Sequence, residues 1–322
     1  MHSFKNIYPF IALCVVTLAC KQQVVNQGTV SDFAVMADSS KTPADTAYYT
    51  LGAKSTFNFS GNPFTISFFS GELGHKYIYR NRTSAQGIAK FIFTNALNVG
   101  TQQNTLHVML STDFKGVVAG DTTTTIANIT AASWKDITPA VLANNATAVT
   151  DTIDLTSYAS AGKAVFIAFK YTAQSGSVQN KWTITNVNLT NSLSDNTVYT
   201  IANLNTPSTA IINYGTNTYS PGWVAYTPSN TKKWTVSTSS LIIDSTNAAS
   251  TINSESWAIM GSIDLTKVSP DMGVSVKGIS SLPAAYQYLY TAKGNYTAAF
   301  LATNNTQFST DSVVRTIPIV IR

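Results

Sequence analysis

Apolar and polar residues alternate with a period of two along most of the chain. The segments with this pattern, or with a short apolar run, are residues 56–59, 65–68, 106–110, 164–171, 182–189, 298–301 and 313–321. Successive side chains of a strand point to opposite faces, so this period predicts strands, and Gly, Asn, Asp or Pro separates them. No window shows an amphipathic helix of three turns, although Thr138–Ala148 is compatible with a short one. The sequence therefore predicts an all-β protein.

The two ends of the chain carry strands that complete one predicted domain. A few strands cannot bury their own sheet face, and an isolated hairpin is marginal in water. We therefore predict that residues 31–82 pair with residues 279–322 in an immunoglobulin-like sandwich, and that residues 83–278 form an inserted domain. Within the connecting stretch, His75–Arg82 alternates like a strand, and we expect Arg80 and Arg82 to form ion pairs or caps there.

The N-terminus has the features of a secretory signal. Residues 1–19 contain one lysine and the apolar run Ile11–Leu18, which is too short to span a bilayer. The tetrapeptide Thr17–Cys20 resembles a bacterial lipobox, which implies cleavage before Cys20 and lipidation of its thiol. Residues 20–30 are predicted to form a tether. Because each buried CH₂ of a lipid adds about 0.8 kcal/mol, we expect a stable membrane anchor.

Composition argues against several classes of function. Charged residues make up 11% of the chain, the net charge is +5, and the basic residues are scattered rather than clustered. Nucleic-acid binding needs a clustered basic patch, so we predict no nucleic-acid partner. The only cysteines are Cys14 and Cys20, so the mature chain would lack disulfides and thiolate chemistry. We predict no cofactor.

Catalytic and metal-binding motifs are not evident in the sequence. No histidine spacing typical of zinc sites occurs, and His107 alternates within a strand-like segment, so we predict no metal site. Glycoside hydrolysis usually needs two carboxylates about 5–10 Å apart. The only glutamates, Glu72 and Glu255, fall in different predicted domains. We therefore predict no catalytic residues and no enzyme, and keep a glycoside hydrolase as an alternative.

Aromatic residues are the remaining candidates for ligand contact. Trp134, Trp182 and Trp257 occupy strand-like positions, where core packing is expected. Residues 199–234 are rich in Tyr, Trp, Gly and Pro, and loops often carry binding residues. Because sugars stack on exposed aromatic faces, we predict ligand binding at the following residues: Tyr219, Trp223 and Tyr226.

Several motifs carry resemblances to known families. The block YQYLYTAKGNYT (286–297) resembles late strands of polycystic-kidney-disease (PKD) type sandwiches, and segments of residues 106–266 resemble a galactose-binding-like jelly roll with its halves in rotated order. The chain as a whole resembles Bacteroidetes lipoproteins catalogued as domain of unknown function 5017. The stretches that carry this resemblance are FSGNPFTISFFSGELGHKYIYRNR, LSTDF, VFIAFKY and VSPDMGVSVK. These lipoproteins resemble SusE/SusF-type accessory proteins of glycan uptake.

The resemblance implies a function and a location. We expect a non-catalytic outer-membrane lipoprotein, on the cell surface or the periplasmic face, that binds glycans or supports a glycan-uptake complex. The implied partners are the membrane, a polysaccharide or oligosaccharide, and an outer-membrane transporter complex. The alternative is a structural or adhesion lipoprotein that binds another envelope protein, because sandwich folds host many functions.

Overall fold

The computed structural model describes residues 30–43, 45–118, 121–204, 218–219, 223–229, 232–278, 282–305 and 309–322. For residues 122, 218–219 and 223–229 it describes the backbone alone. The chain forms two compact units: unit 1 combines the residues up to Ser70 with Val274–Arg322, and unit 2 comprises Gly71–Gly273. The boundaries predicted from sequence placed residues 71–82 in the first domain and residues 274–278 in the insert.

Most of the regular secondary structure among the described residues is β-strand, with 49% in strands and 7% in helices, so the all-β prediction is confirmed. The single α-helix among them, α1 (Thr122–Ala131), is too short to cross a membrane. In chain order the strands are β1 (Ala34–Ala37), β2 (Ala47–Tyr49), β3 (Lys54–Ser60), β4 (Thr65–Phe69), β5 (Ile88–Val99), β6 (Leu106–Ser111), β7 (Lys135–Asp136), β8 (Val149–Asp154), β9 (Ala164–Ala173), β10 (Lys181–Ser192), β11 (Val198–Asn203), β12 (Thr218–Tyr219), β13 (Trp223–Ser229), β14 (Trp234–Val236), β15 (Ser240–Ile243), β16 (Ser254–Met260), β17 (Ile263–Asp264), β18 (Val274–Lys277), β19 (Ala285–Leu289), β20 (Gly294–Asn305) and β21 (Thr310–Ile321). Short 3₁₀ helices occur at Val30–Asp32, Tyr77–Tyr79 and Thr156–Tyr158.

Unit 1 is a sandwich built from both ends of the chain. Its three-stranded sheet has the order β1-β3-β19, and its five-stranded sheet the order β18-β4-β20-β21-β2. All neighbours are antiparallel except β2, which runs parallel to β21. Phe57, Phe68 and Phe300 meet in the core with ring centroids 4.9–5.7 Å apart. Each end of the chain therefore supplies apolar side chains that the other end covers.

Unit 2 is a larger sandwich. One sheet has the order β14-β15-β10-β5-β8, with β11 also paired to β10. The other, the seven-stranded sheet, has the order β12-β13-β16-β9-β6-β7, with β17 also paired to β9. Alternate residues of β5 and β9 face inward, and the rings of Phe91, Phe93 and Phe169 pack 5.2–6.0 Å apart in the core. The period-two pattern thus supplies the inner faces of both sheets.

Helix α1 covers part of the outer face of the seven-stranded sheet. Asp121 caps its N-terminus by accepting a 2.8 Å hydrogen bond from the Thr124 backbone N–H, and Ile129 packs in a small cluster with Trp257. The segment Thr138–Ala148, whose sequence is compatible with a short helix, does not form one. That segment is irregular because its backbone bonds to β5: the N–H of Ala143, for example, donates to the Asn95 side chain over 2.7 Å.

The connecting stretch also differs from its predicted form. Residues 77–79 form a 3₁₀ helix, so the expectation of a strand was wrong. The Asp271 carboxylate accepts a 2.8 Å hydrogen bond from the Lys76 N–H and lies 3.3 Å from the Arg82 guanidinium, which bends the chain into this conformation. The expected pairing of Arg82 is therefore confirmed. Arg80 caps the 3₁₀ helix, because its guanidinium donates to the Tyr77 carbonyl over 3.2 Å and also stacks 4.0 Å from the Tyr77 ring centroid.

Candidate binding site

A row of side chains crosses the outer face of the seven-stranded sheet. His107 of β6 lies opposite Lys170 of β9, and Lys170 lies opposite Trp257 of β16. Directly opposed residues of antiparallel strands share a face. Their chain neighbours Val108 and Phe169 belong to the core, so the row faces outward. Because neighbouring strands lie about 4.8 Å apart, the row spans about 10 Å across the sheet.

Two tryptophans border a cavity at one end of this row. The rings of Trp134 and Trp257 lie 5.1 Å apart at 49°, and the cavity beside them has a volume of about 600 Å³. The Trp134 indole N–H donates to the Ile129 carbonyl over 3.0 Å, which holds the ring against α1. Trp257 is buried and Trp134 is half-buried, so Trp134 presents more of its surface to the cavity.

Charged groups complete the cavity. The Trp257 indole N–H donates to Glu255 Oε1 over 2.8 Å, and Lys170 Nζ lies 3.9 Å from the same carboxylate oxygen. Lys170 Nζ is also 5.1 Å from the Trp257 ring centroid, which is within the range of cation–π attraction. The cavity thus combines an aromatic wall with one carboxylate and one ammonium group. We call Trp134, Lys170, Glu255 and Trp257 the outer-face site.

A second cavity, the end cleft, lies beside the start of β6 and has a volume of about 720 Å³. His107 and Asp136 line it, with 2.8 Å between His107 Nδ1 and Asp136 Oδ2, and His107 Nε2 is 3.0 Å from the Asn104 carbonyl. Trp182 also lines the cleft, and its indole N–H donates to Thr105 Oγ1 over 2.9 Å. His107 therefore occupies the predicted strand and belongs to the lining of this cleft.

Local hydrogen bonds set the ionisation of Asp136. Partial burial raises the pKa of its carboxyl, but hydrogen bonds from the Thr138 hydroxyl and backbone N–H, and from His107, outweigh this effect and lower the pKa below its usual value. The carboxylate is therefore charged at neutral pH, and it holds His107 and Thr138 in place in the lining of the cleft.

The residues predicted from sequence fall into three groups. Cys20 lies outside the described residues. Tyr219 is in β12, opposite Trp223 of β13, and Tyr226 of β13 is opposite Trp257; the side chains of these three residues also lie outside the description, so their role stays a prediction. The burial expected for Trp182 and Trp257 is confirmed, with 4% of each residue exposed, whereas Trp134 is half-buried.

The outer-face site was not predicted as a site. Its members come from separate segments of the chain, and the sequence signal was only that each apolar–polar alternation leaves one face outside the core. Both glutamates belong to unit 2, Glu72 in the turn after β4 and Glu255 in β16, which differs from the expected separation. Among the described residues, no group of three or more His, Cys, Asp or Glu side chains could hold a metal ion.

Comparison with known families gives one match. The family model described as Domain of unknown function (DUF5017) matches residues 19–209, which is more than half of the chain. No curated protein and no solved structure matches this chain.

Proposed function

Because the chain belongs to the DUF5017 family, whose description assigns no activity, we propose its function from the geometry of unit 2. In this proposal the protein is a non-catalytic β-sandwich lipoprotein that binds glycans, or supports a glycan-uptake complex, at the outer membrane. The anchor is the lipidated Cys20, on the cell-surface or periplasmic face. The partners are a polysaccharide or oligosaccharide and an outer-membrane transporter complex.

The observation that carries this proposal is the pairing of Trp134 and Trp257 beside an ammonium and a carboxylate. Pyranose rings have an apolar C–H face and a rim of hydroxyls, so an aromatic wall and a few fixed polar groups suit them. Glu255 accepts from hydroxyls, Lys170 donates to them, and their mutual contact limits the charge presented to a neutral ligand. The row extends toward His107, so an elongated ligand would lie across the strands.

The presence of a single carboxylate among the described residues of the cavity favours binding over hydrolysis. Glu255 is the sole carboxylate among the described residues that line the outer-face cavity, and it already accepts a hydrogen bond from the Trp257 indole. Glycosidases usually use two carboxylates, one on each side of the scissile bond. A polysaccharide held in the outer-face cavity would meet one carboxylate, that of Glu255.

Affinity electrophoresis on gels containing a panel of neutral polysaccharides tests the proposal. We expect at least one polysaccharide to retard the protein, and Trp134→Ala to weaken that binding by about tenfold, as the loss of about 1.4 kcal/mol of stacking would. The matched control is Tyr48→Ala, which removes a half-exposed aromatic residue from unit 1 and should leave retardation unchanged.

Circular dichroism of each variant separates loss of binding from loss of fold. Absence of retardation on every polysaccharide would remove the glycan assignment, and full retardation of folded Trp134→Ala would remove the site. If a membrane pull-down recovered a stoichiometric envelope protein without added sugar, the adhesion alternative would replace glycan binding. Glycan cleavage that disappears in Glu255→Gln would instead establish the hydrolase.

A further inference from the structure

We propose that the end cleft of unit 2 is a second binding site, which takes a single neutral sugar unit. The proposal rests on the proposed glycan function for the class of ligand, but it concerns a different cavity. The end cleft is lined by Trp182 and His107, whereas the outer-face site is lined by Trp134 and Trp257.

The size and walls of the cleft suit a small ligand. Its volume of about 720 Å³ lies within the range of about 300–1,000 Å³ typical of small-molecule sites. The irregular segment 138–144 lines the cleft, together with residues 101–107, which lead into β6. A cavity of this volume accommodates a small ligand such as one sugar unit.

The lining combines the groups that a sugar requires. Gln103, Asn104 and Asn144 line the cleft with exposed side-chain amides, which can both donate and accept hydrogen bonds. Val141, which is 72% exposed, stands at the wall as an apolar surface for the C–H face of a ring. Trp182 also belongs to the lining.

The charges of the cleft favour a neutral ligand. No lysine or arginine occurs among the described residues that line it. Its ionisable groups are His107 and Asp136, which lie 2.8 Å apart and interact with each other. An anionic ligand would meet the Asp136 carboxylate without an unpaired cation to compensate, and desolvating an uncompensated charge is costly.

The walls are fixed before any ligand arrives. The Val108 N–H donates to Thr138 Oγ1 over 2.8 Å, and the Ala143 N–H donates to Asn95 Oδ1 over 2.7 Å. The Leu97 N–H donates to the Asn145 carbonyl over 2.9 Å. These bonds hold segment 138–144 at both ends. A wall that is already ordered loses little conformational entropy on binding, which allows a small ligand to bind measurably.

Fluorine NMR of the full chain labelled with 5-fluorotryptophan tests the proposal, because Trp182 reports the end cleft while Trp134 and Trp257 report the outer-face site. Each resonance is assigned with a Trp→Phe variant. The probes are glucose, galactose, mannose and N-acetylglucosamine, with glucuronate as the anionic comparison and glycylglycine as an amide that is not a sugar.

We expect at least one neutral monosaccharide to shift the Trp182 resonance saturably, and glucuronate to bind at least about tenfold more weakly. The variant Val141→Glu should weaken that binding by at least about tenfold, since it places a carboxylate at the wall. Val198→Glu is the matched control, because Val198 is also exposed in unit 2, on β11, and it should bind as the wild type does.

The other outcomes separate this proposal from the proposed function. The second-site proposal is overturned if no monosaccharide moves the Trp182 resonance, if Val141→Glu binds unchanged, or if glycylglycine or glucuronate binds as well as the sugars. If longer glycans shift the resonance of Trp134 or Trp257 while no sugar shifts that of Trp182, the proposed function stands and this second site fails. A Trp182 response with no retardation by any polysaccharide leaves the second site and removes the outer-face site.

Discussion

The two units solve the burial of a β-sandwich core in opposite ways. Unit 2 is one uninterrupted stretch, Gly71–Gly273, whereas unit 1 pairs β4 with β20 across the whole of that stretch. The Phe64 N–H, for example, bonds to the side chain of Asn304, 240 residues away. Contacts so distant in sequence carry a larger closure entropy, so unit 1 depends on the completed chain in a way that unit 2 does not.

The largest effect is expected when one end of the chain is removed. A chain that stops at Gly273 lacks β18–β21, which supply three strands of the five-stranded sheet and Phe300 of the core. We expect unit 1 to lose its protection against amide hydrogen exchange entirely, while β5, β9 and β10 of unit 2 keep theirs. The full-length chain is the control. Loss of protection in both units, or in neither, would contradict the division.

A smaller effect is expected from the ion pair near the two ends of unit 2. The Asp271 side chain is 1% exposed and lies 3.3 Å from the guanidinium of Arg82. Arg82→Met leaves that carboxylate buried without its cation, so we expect unit 2 to lose about 3 kcal/mol of stability. Hydrogen exchange of unit 2 measures this. Arg82→Lys should recover part of the loss, and equal losses in Lys and Met would mean that the charge is not the cause.

The smallest effect concerns unit 1 in alkali. Burial, together with a 2.6 Å hydrogen bond to Asp38, raises the pKa of Tyr49 to about 12. The folded state therefore holds this proton more tightly than the unfolded state, whose tyrosine pKa is about 10. The stabilisation is complete below pH 10 and disappears as the pH rises to about 12.

Tyr49→Phe should therefore cost unit 1 about 1 kcal/mol at pH 8, the usual value of one hydrogen bond, and should flatten its loss of stability between pH 10 and 12. Denaturant melts at a series of pH values measure both effects. Tyr48→Phe is the control, since the neighbouring Tyr48 is half-exposed. A variant that retains the wild-type slope in this range would show that another group titrates.

The sequence predicts the features that depend on local alternation. The period of two fixes which residues of β6, β9 and β10 face the core, and so the burial of Trp182 was predictable. Trp257 is instead buried on the outer face of the sheet, against Ile129 of α1 and Trp134, which the alternation does not predict. Helix α1 was missed because its run of threonines has low helix propensity. Its formation depends on the Asp121 cap and on the packing of Ile129 against the outer face of the sheet.

The outer-face site depends on register, which the sequence does not specify. Lys170 meets Trp257 because β9 and β16 pair in one of several registers that their patterns allow, and a slip by one residue would turn each side chain to the other face. Trp134 comes from the segment between α1 and β7, whose position follows from the helix that was missed. The site is therefore a product of tertiary packing.

The hydrogen bonds that join the start of unit 2 to its end have a consequence for how such chains diversify. The Met272 N–H donates to the Gly74 carbonyl over 3.0 Å, and in unit 1 the register places Val274 opposite Phe68. The points at which the chain leaves unit 1 and returns to it are therefore neighbours, and so are the first and last segments of unit 2. A gene rearrangement that exchanged everything between these points would leave the strands of unit 1 intact and replace unit 2 as a whole, so the layout suits recombination as well as point mutation.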